Sequence, residues 1–242
     1  MRIDVAFVPG VMPAAPVTVV VDVIRATTTI AHAVGQGYSR VLACGDIDRA
    51  RDLHGRLGNG AVLVGERECV KPEGFDLGNS SSEYASGPPL GETLVLATTN
   101  GTRAILAAAS DAEAVLIGSL ANLTACAAAA ARIARDGERD VLVQCAGVEG
   151  AFALDDAYVA GRFVAELRVW LAEWGTTDAA MAAEVLSDAF PSSSDALGAS
   201  TSAAKLRAAG LAEDLRACAR ESAFDVVPRV DDVDAGVALI TT

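Results

Sequence analysis

A chain of 242 residues, 52% hydrophobic and 21% charged, is long enough to bury a large core and too apolar to be intrinsically disordered. Its 19 basic and 32 acidic residues give a net charge of -13, which excludes a nucleic-acid duplex as a partner because like charges repel. A site for a small anion in such a protein needs its own concentrated positive charge from arginine, backbone amides or a metal ion.

The N-terminal residues lack the charged, apolar and small-residue succession of a signal peptide, and no apolar run is long enough to cross a membrane. We therefore expect a cytoplasmic protein with no membrane partner. The five cysteines are scattered and show no CxxC spacing, which predicts reduced thiols rather than disulfides or a zinc site.

Apolar runs rich in β-branched residues alternate with stretches of helical period, which predicts an α/β fold with crossover helices and a largely parallel sheet. The predicted strands cover residues 3–8, 17–23, 40–43, 61–64, 94–97, 114–117 and 141–144. The predicted helices that accompany them cover residues 28–36, 48–57, 102–109, 122–135 and 155–174.

The last third of the chain is predicted to be mainly helical. Its helices cover residues 178–190 and 202–219, with a loop over 191–195 and edge strands over 223–227 and 236–240. No long linker or break in composition divides the sequence, so we expect one domain spanning residues 1–242. Two roles are open for the helical third, namely completing the active site or forming a homo-oligomer interface.

Polar residues directly after each apolar run are candidates for a site, because ligands bind beyond the carboxyl ends of the strands in an open parallel sheet. Asp22, Arg25, Thr27 and Thr28 follow the second predicted strand. A helix N-cap and a ligand contact explain the threonines equally well. Asp22 and Arg25 are charges at the edge of a core, so they either pair with each other or bind a ligand or metal.

Two segments between residues 65 and 82 add further candidates. The fourth predicted strand is followed by Glu66 and Arg67, which form either a surface ion pair or part of the same site. A loop over residues 74–82 is rich in turn formers, amides and hydroxyls, and its Asn79 is a candidate contact for an anion.

A glycine-containing turn follows the fifth predicted strand and opens a helix, with Thr99, Asn100, Gly101 and Thr102 in succession. Such a turn directs free amides and the positive end of the helix dipole towards an oxyanion. A plain N-cap or capping box is an equally common role for it.

The last candidates follow the seventh predicted strand. Asp155 and Asp156 begin a predicted helix, where they either complement its dipole or join Asp22 and Glu66 as oxygen ligands for Mg²⁺. Cys145 is a candidate nucleophile, although inert packing is the commoner role of a small buried cysteine. The segment after it lacks the arginine that a cysteine phosphatase requires. The sequence also contains no GxxxxGK[ST] loop and no GxGxxG after the first strand, which argues against nucleotide chemistry.

These strand-end segments, taken in order, resemble the 2-phosphosulfolactate phosphatase family. The residues that carry the resemblance are 22–29, 65–67, 74–80, 99–102, 145–147 and 155–156, and the segments 205–211 and 225–228 are similar as well. The resemblance implies a three-layer α/β/α sandwich with a largely parallel or mixed sheet. It also implies Mg²⁺-dependent hydrolysis of the phosphate ester of 2-phospho-3-sulfolactate, or a related phosphorylated hydroxy acid, as a step of coenzyme M synthesis.

We assign the candidate residues to three roles on this basis. The catalytic candidates are Asp22, Arg25, Glu66, Cys145 and Asp155. The metal ligands are Asp22, Glu66 and Asp156. The candidates for binding a small anionic phosphorylated substrate are Thr27, Thr28, Arg67, Asn79, Thr99, Asn100, Gly101 and Thr102.

The mechanism and the class of function keep alternatives. Either Asp155 activates water or Cys145 attacks the phosphorus, and Asp22 holds the metal, orients Arg25 or attacks the phosphorus itself. A non-catalytic binder or sensor of a phosphorylated metabolite is the second hypothesis, and an isomerase or transferase of a phosphorylated hydroxy acid is the third.

Overall fold

The computed structural model describes residues 1–11, 14–84 and 89–242, and strands alternate with helices through most of the chain. The strands are β1 (Arg2–Ala6), β2 (Val17–Val21), β3 (Arg40–Cys44), β4 (Ala61–Gly65), β5 (Thr93–Ala97), β6 (Ala114–Gly118), β7 (Val141–Cys145), β8 (Gly175–Thr176), β9 (Arg229–Asp234) and β10 (Val237–Thr241). The helices are α1 (Ala26–Gly35), α2 (Ile47–Leu57), α3 (Gly101–Ala109), α4 (Leu123–Gly137), α5 (Leu154–Trp170), α6 (Asp178–Asp188), α7 (Ser193–Gly198), α8 (Thr201–Ala208) and α9 (Asp214–Cys218).

The ten strands found in the described residues belong to one sheet with the order β4-β5-β3-β10-β9-β6-β2-β7-β1-β8. Strands β6, β2, β7, β1 and β8 are parallel to one another, and so are β3, β5 and β4. The antiparallel strands β9 and β10 lie between these two sets, and three successive antiparallel pairings make the sets run in opposite directions. The sheet is therefore mixed.

Helices cover both faces of the sheet, which explains why strand β2 is buried along its whole length. Val19 and Val21 belong to a core cluster formed with α4, α5 and α6 on one face. Val20 points the other way and belongs to a cluster formed with α1 and α3. This alternation confirms the predicted three-layer α/β/α sandwich.

Of the two predicted edge strands, the one over residues 236–240 is present as β10 but lies inside the sheet, and the one over 223–227 is wrong. Residues 223–227 form no strand because this segment is hydrogen-bonded to a turn before α4: the Phe224 amide donates to the Ala121 carbonyl, and the Asn122 side chain donates to the Val226 carbonyl. The strand that follows, β9, and its partner β10 lie inside the sheet rather than at its edge.

Helix boundaries in the last third also differ from the prediction. The helix expected over residues 202–219 is divided into α8 and α9, because Gly210 adopts a positive φ of 76° that ends the first of them. The loop expected over 191–195 gives way to α7, whose N-cap Ser192 accepts a hydrogen bond from the Asp195 amide. Helix α5 ends at Trp170 instead of residue 174.

Within the described ranges, no helix is long and apolar enough to cross a membrane.

Candidate active site

A cavity of about 970 Å³ lies where the segments after β2, β4, β5 and β7 meet helix α8. Seven of the predicted site residues line it, namely Asp22, Arg25, Glu66, Arg67, Asn79, Thr99 and Asn100. The cavity also contains charged and polar residues that were not predicted, and these are Glu68, Cys69, Glu149, Ser202 and Lys205. The strand-end rule therefore brings half of its candidates together in one cavity.

Asp22 occupies the end of β2, and its carboxyl group is almost completely buried. Burial raises the pKa of Asp22, the nearby charges of Glu66 and Asp155 raise it further, and the result is a pKa of about 7. Gly101 allows the start of α3 to approach this carboxylate, because a Cβ atom at that position would lie 2.5 Å from Asp22 Oδ2. The site thus holds a carboxylate that resists ionisation in the absence of a cation.

Glu66 is held in place by the backbone of two loops. Its Oε1 accepts a hydrogen bond from the Thr99 amide at 2.7 Å, and its Oε2 accepts one from the Cys69 amide at 3.1 Å. These bonds tie the segment after β4 to the segment after β5 and fix the carboxylate at the cavity wall. A side chain fixed in this way is ready to bind a ligand without losing further conformational entropy.

Asp156 connects three segments of the chain next to the cavity. Its Oδ1 accepts a hydrogen bond from the Val23 amide and its Oδ2 accepts one from the Gly147 amide, both at 3.0 Å. It therefore ties α5 to the segments after β2 and β7. Burial, together with the charges of Asp155 and Asp22, raises the pKa of Asp156 well above its usual value. Asp156 is outside the cavity lining, so its predicted role as a metal ligand has no support from its position.

Asp155 lies in the same first turn of α5 and is also buried. Its Oδ1 accepts a hydrogen bond from the Ser202 hydroxyl at 3.2 Å, which connects it to the cavity-facing side of α8. Burial raises the pKa of Asp155, while the Ser202 hydrogen bond lowers it. Asp155 is thus a second buried carboxylate close to Asp22.

Arg25 forms its ion pair with Asp214 and not with Asp22, so the first of the two alternatives from the sequence does not hold. Its Nη1 lies 2.6 Å from Asp214 Oδ2 on α9, and its Nη2 donates to the Cys69 carbonyl at 2.7 Å. Asp214 also accepts a hydrogen bond from the Ser80 hydroxyl. This buried ion pair holds the guanidinium at the cavity wall. Asp214 was missed because it sits 189 positions from Arg25 within a segment that reads as an ordinary helix.

Three predicted substrate contacts serve the local structure instead. The hydroxyls of Thr27 and Thr28 donate to the carbonyls of Asp22 and Val23, and Thr102 donates to the carbonyl of Thr98. All three threonines are fully buried and lie outside the cavity lining. They stabilise the turns between strand and helix, which was the alternative explanation for these residues.

Cys145 is also outside the cavity lining, and its side chain has no solvent exposure. Burial, followed by the charges of Asp156 and Asp155, raises the pKa of the thiol well above its usual value. A nucleophilic cysteine needs an accessible thiolate, which positive neighbours favour and negative ones oppose. The surroundings of Cys145 fit packing rather than nucleophilic attack.

Two buried polar atoms at the cavity lack a hydrogen-bond partner among the described residues. They are Oδ1 of Asn79 and Oγ1 of Thr99. Buried polar groups nearly always find a partner, so unpartnered ones at a cavity wall indicate a ligand or water position. The neighbouring Asn100 has its Oδ1 occupied by the Glu149 amide at 3.1 Å.

The donor set fits a hard divalent cation in part. No group of three or more histidine, cysteine or acidic side chains is arranged to hold a metal within residues 1–11, 14–84 and 89–242. Two carboxylates, Asp22 and Glu66, do line the cavity. Mg²⁺ commonly uses only one or two carboxylates and completes its shell with water and substrate phosphate. The repulsion that raises the Asp22 pKa is the kind that a cation would relieve.

Comparison with known proteins finds relatives along most of the length of this chain. A family model described as 2-phosphosulpholactate phosphatase matches residues 8–233. A probable 2-phosphosulfolactate phosphatase of Thermus thermophilus is 40% identical over 230 residues, covering 94% of each chain. Proteins of the same description from Caldanaerobacter subterraneus subsp. tengcongensis and Clostridium acetobutylicum are 34% and 32% identical, covering 88% and 87% of this chain and 86% and 88% of theirs. This chain belongs to the 2-phosphosulpholactate phosphatase family.

Proposed function

We propose that this protein is a Mg²⁺-dependent phosphatase that hydrolyses 2-phospho-3-sulfolactate, or a closely related phosphorylated hydroxy acid, to the free hydroxy acid and phosphate. The observation that carries the proposal is one cavity lined by two carboxylates, Asp22 and Glu66, and by the guanidinium of Arg25. Phosphoryl transfer needs mainly positioning and neutralisation of charge, which this set can supply. The names of the relatives supply the substrate class.

The phosphate is placed against donors at the inner wall of the cavity. The guanidinium of Arg25 has five N–H donors. One N–H on Nη1 binds Asp214 and one on Nη2 binds the Cys69 carbonyl, so other N–H donors remain for phosphoryl oxygens. The unpartnered Thr99 hydroxyl and Asn79 side chain add polar contacts beside it. Since all of these groups are already held by the fold, they orient the ester without a large entropic cost.

Asp22 and Glu66 would hold the Mg²⁺, which when bound would stabilise the negative charge that develops on the transferring phosphoryl group. Asp156 is not assigned to the metal, because it is not among the residues that line the cavity. With only Asp22 and Glu66 as protein ligands, the coordination shell of the Mg²⁺ would have room for water and for a phosphoryl oxygen of the substrate.

We assign the attack to water rather than to Cys145. Water forms the new bond to phosphorus as the ester oxygen–phosphorus bond breaks, and the leaving oxygen takes a proton to become the hydroxyl of the product. Asp155 is the proton carrier between the attacking water and the leaving oxygen, because burial raises the pKa of its carboxyl group and Ser202 of the cavity wall donates a hydrogen bond to it. A carboxyl group with a raised pKa takes up and releases a proton more readily at physiological pH than an ordinary aspartate, which stays ionised.

Phosphate release from 2-phosphosulfolactate, with Mg²⁺ and with excess EDTA, tests the proposal. We expect turnover only with Mg²⁺, and we expect Glu66→Gln and Arg25→Met to lower kcat/KM by at least about 100-fold. Glu73→Gln is the matched control, because Glu73 is exposed and outside the cavity. Normal turnover in the Glu66 and Arg25 variants would refute the site. Tight binding of phosphate esters without turnover would favour a sensor instead.

The wider setting follows from the same proposal. Hydrolysis of 2-phosphosulfolactate would make the reaction a step towards coenzyme M. We also propose a cytoplasmic location. Small metabolites rather than nucleic acids are the proposed partners, because the net charge of -13 opposes binding of a polyanion. In a filter-binding assay, we expect the protein to retain no DNA at any salt concentration.

A further inference from the structure

Three cationic side chains line the cavity, and they differ in how strongly the protein already engages them. Arg25 is buried against Asp214, and Arg67 donates from Nη1 to the Glu66 carbonyl at 2.8 Å. Lys205 has one contact among the described residues, an ammonium group 3.5 Å from Glu149 Oε1. The Lys205 and Glu149 side chains are 48% and 74% exposed, so water screens their attraction and the pair is weak.

Lys205 is directed to the cavity by the geometry of α8. Ser202, Lys205, Leu206 and Ala209 all line the cavity, and their spacing of three or four residues places them on one helical face. Ser202 fixes one end of this face through its hydrogen bond to Asp155. Lys205 lies about one turn, or roughly 5 Å, further along the helix. The Lys205 side chain therefore starts from a point on the cavity wall about one turn away from Ser202, which contacts Asp155.

The cavity has room for such an extended ligand. Its volume of about 970 Å³ is at the upper end of the range for small-molecule pockets, far more than one phosphate needs. Four acidic side chains also line it, namely Asp22, Glu66, Glu68 and Glu149. A second anionic group of the substrate would meet repulsion there unless a cation is available to receive it.

We propose that Lys205 binds the sulfonate of the substrate, while Arg25 and the Asp22 end of the cavity bind the phosphate that is removed. This inference rests on the proposed function and deepens it. Glu149 is then the counter-ion of Lys205 in the free protein, and the sulfonate displaces it. An ammonium group forms charge-assisted hydrogen bonds with such an oxyanion, and these are about twice as strong as neutral ones.

Two substrates separate the role of Lys205 from that of the rest of the site. 2-Phosphosulfolactate carries a sulfonate and a carboxylate beside its phosphate, whereas 2-phospholactate keeps the carboxylate and has a methyl group in place of the sulfonate arm. For Lys205→Met we expect kcat/KM to fall roughly 10- to 100-fold with the first substrate and less than about threefold with the second. Retained turnover of 2-phospholactate would also show that the variant is folded.

Further variants complete the experiment. Lys71→Met makes the same change in charge outside the cavity, where Lys71 is exposed and donates to the Asp76 carbonyl, so both rates should stay near wild type. Glu149→Gln should lower KM for 2-phosphosulfolactate about two- to fivefold, because it removes the competing carboxylate. Equal losses with both substrates in Lys205→Met would overturn the sulfonate assignment and point to the carboxylate. An inactive wild-type protein would instead refute the proposed function.

Discussion

Replacing Asp22 by asparagine should stabilise the metal-free protein at alkaline pH while it abolishes phosphatase activity. The carboxyl group is buried at the end of β2, and Glu66 and Asp155 add negative charge around it. These effects raise its pKa from 3.8 to about 7. An asparagine has a similar shape and its carbonyl oxygen can still accept the hydrogen bond from the Ala26 amide. It removes the charge and keeps the packing.

The magnitude follows from the two pKa values. An acid with a raised folded pKa holds its proton longer in the folded state, so the free energy of unfolding falls as pH rises from about 4 to about 7. A difference of about three pKa units corresponds to about 4 kcal/mol once the group is fully ionised. Because the amide must still be buried, we expect Asp22→Asn to gain on the order of 2–4 kcal/mol at pH 8. At pH 4 the gain should be close to zero.

The change in the free energy of unfolding is measured by urea unfolding at pH 4, 6 and 8 with EDTA present. The fluorescence of Trp170 and Trp174 reports the transition. Asp52→Asn is the matched control, because the Asp52 side chain on α2 is 73% exposed and its neutralisation should change stability by less than about 0.5 kcal/mol. The reasoning fails if Asp22→Asn destabilises the protein at pH 8. An equal gain at pH 4 and pH 8 would also refute it, since charge would then not be the cause.

Three other substitutions test separate parts of the site. Asp214→Ala leaves the Arg25 guanidinium buried without its partner, so we expect a loss of about 3–5 kcal/mol in urea unfolding and at least a tenfold drop in kcat/KM. Gly101→Ala places a methyl group 2.5 Å from Asp22 Oδ2, which should cost about 1–3 kcal/mol and reduce phosphate release at least tenfold. Cys145→Ala should keep kcat within about threefold, because the buried thiol is outside the cavity.

Matched controls lie close by in the chain. Glu213→Ala removes an exposed carboxylate next to Asp214 and should leave activity and stability nearly unchanged. Gly55→Ala lies within α2 with no atom near its added methyl group, so it should stabilise the helix by about 0.5–1 kcal/mol. Unchanged activity in Asp214→Ala or Gly101→Ala would contradict the assigned roles. A hundredfold loss in Cys145→Ala would restore the thiol as the nucleophile.

The positions of the first seven strands could be predicted from the sequence because their signal is local. A run such as Val17–Val21 is buried on both faces, and its continuous apolar composition records that burial. The charged residues that interrupt such runs, Asp22 after β2 and Glu66 after β4, do line the cavity. A charge at the end of an apolar run is costly to bury without a purpose, which makes it a useful signal.

The middle of the sheet could not be predicted in the same way. Strands β9 and β10 come from the end of the chain and enter between β3 and β6. Their insertion reverses one parallel set relative to the other, so a single carboxyl edge for all strands does not exist. Gly101 after β5 nevertheless lies against Asp22 after β2, although five steps of the strand order separate the two strands.

The sequence by itself determined where strands end and which of those ends carry charge, because both depend on neighbouring residues. Only the tertiary structure decided which charges are used and how. It joined Arg25 to Asp214 across 189 positions, placed Lys205 on the cavity wall, and left Cys145 buried outside the cavity. The reason is that burial and the distance to other charges set the energy of an ionisable group, and both depend on segments far apart in the chain.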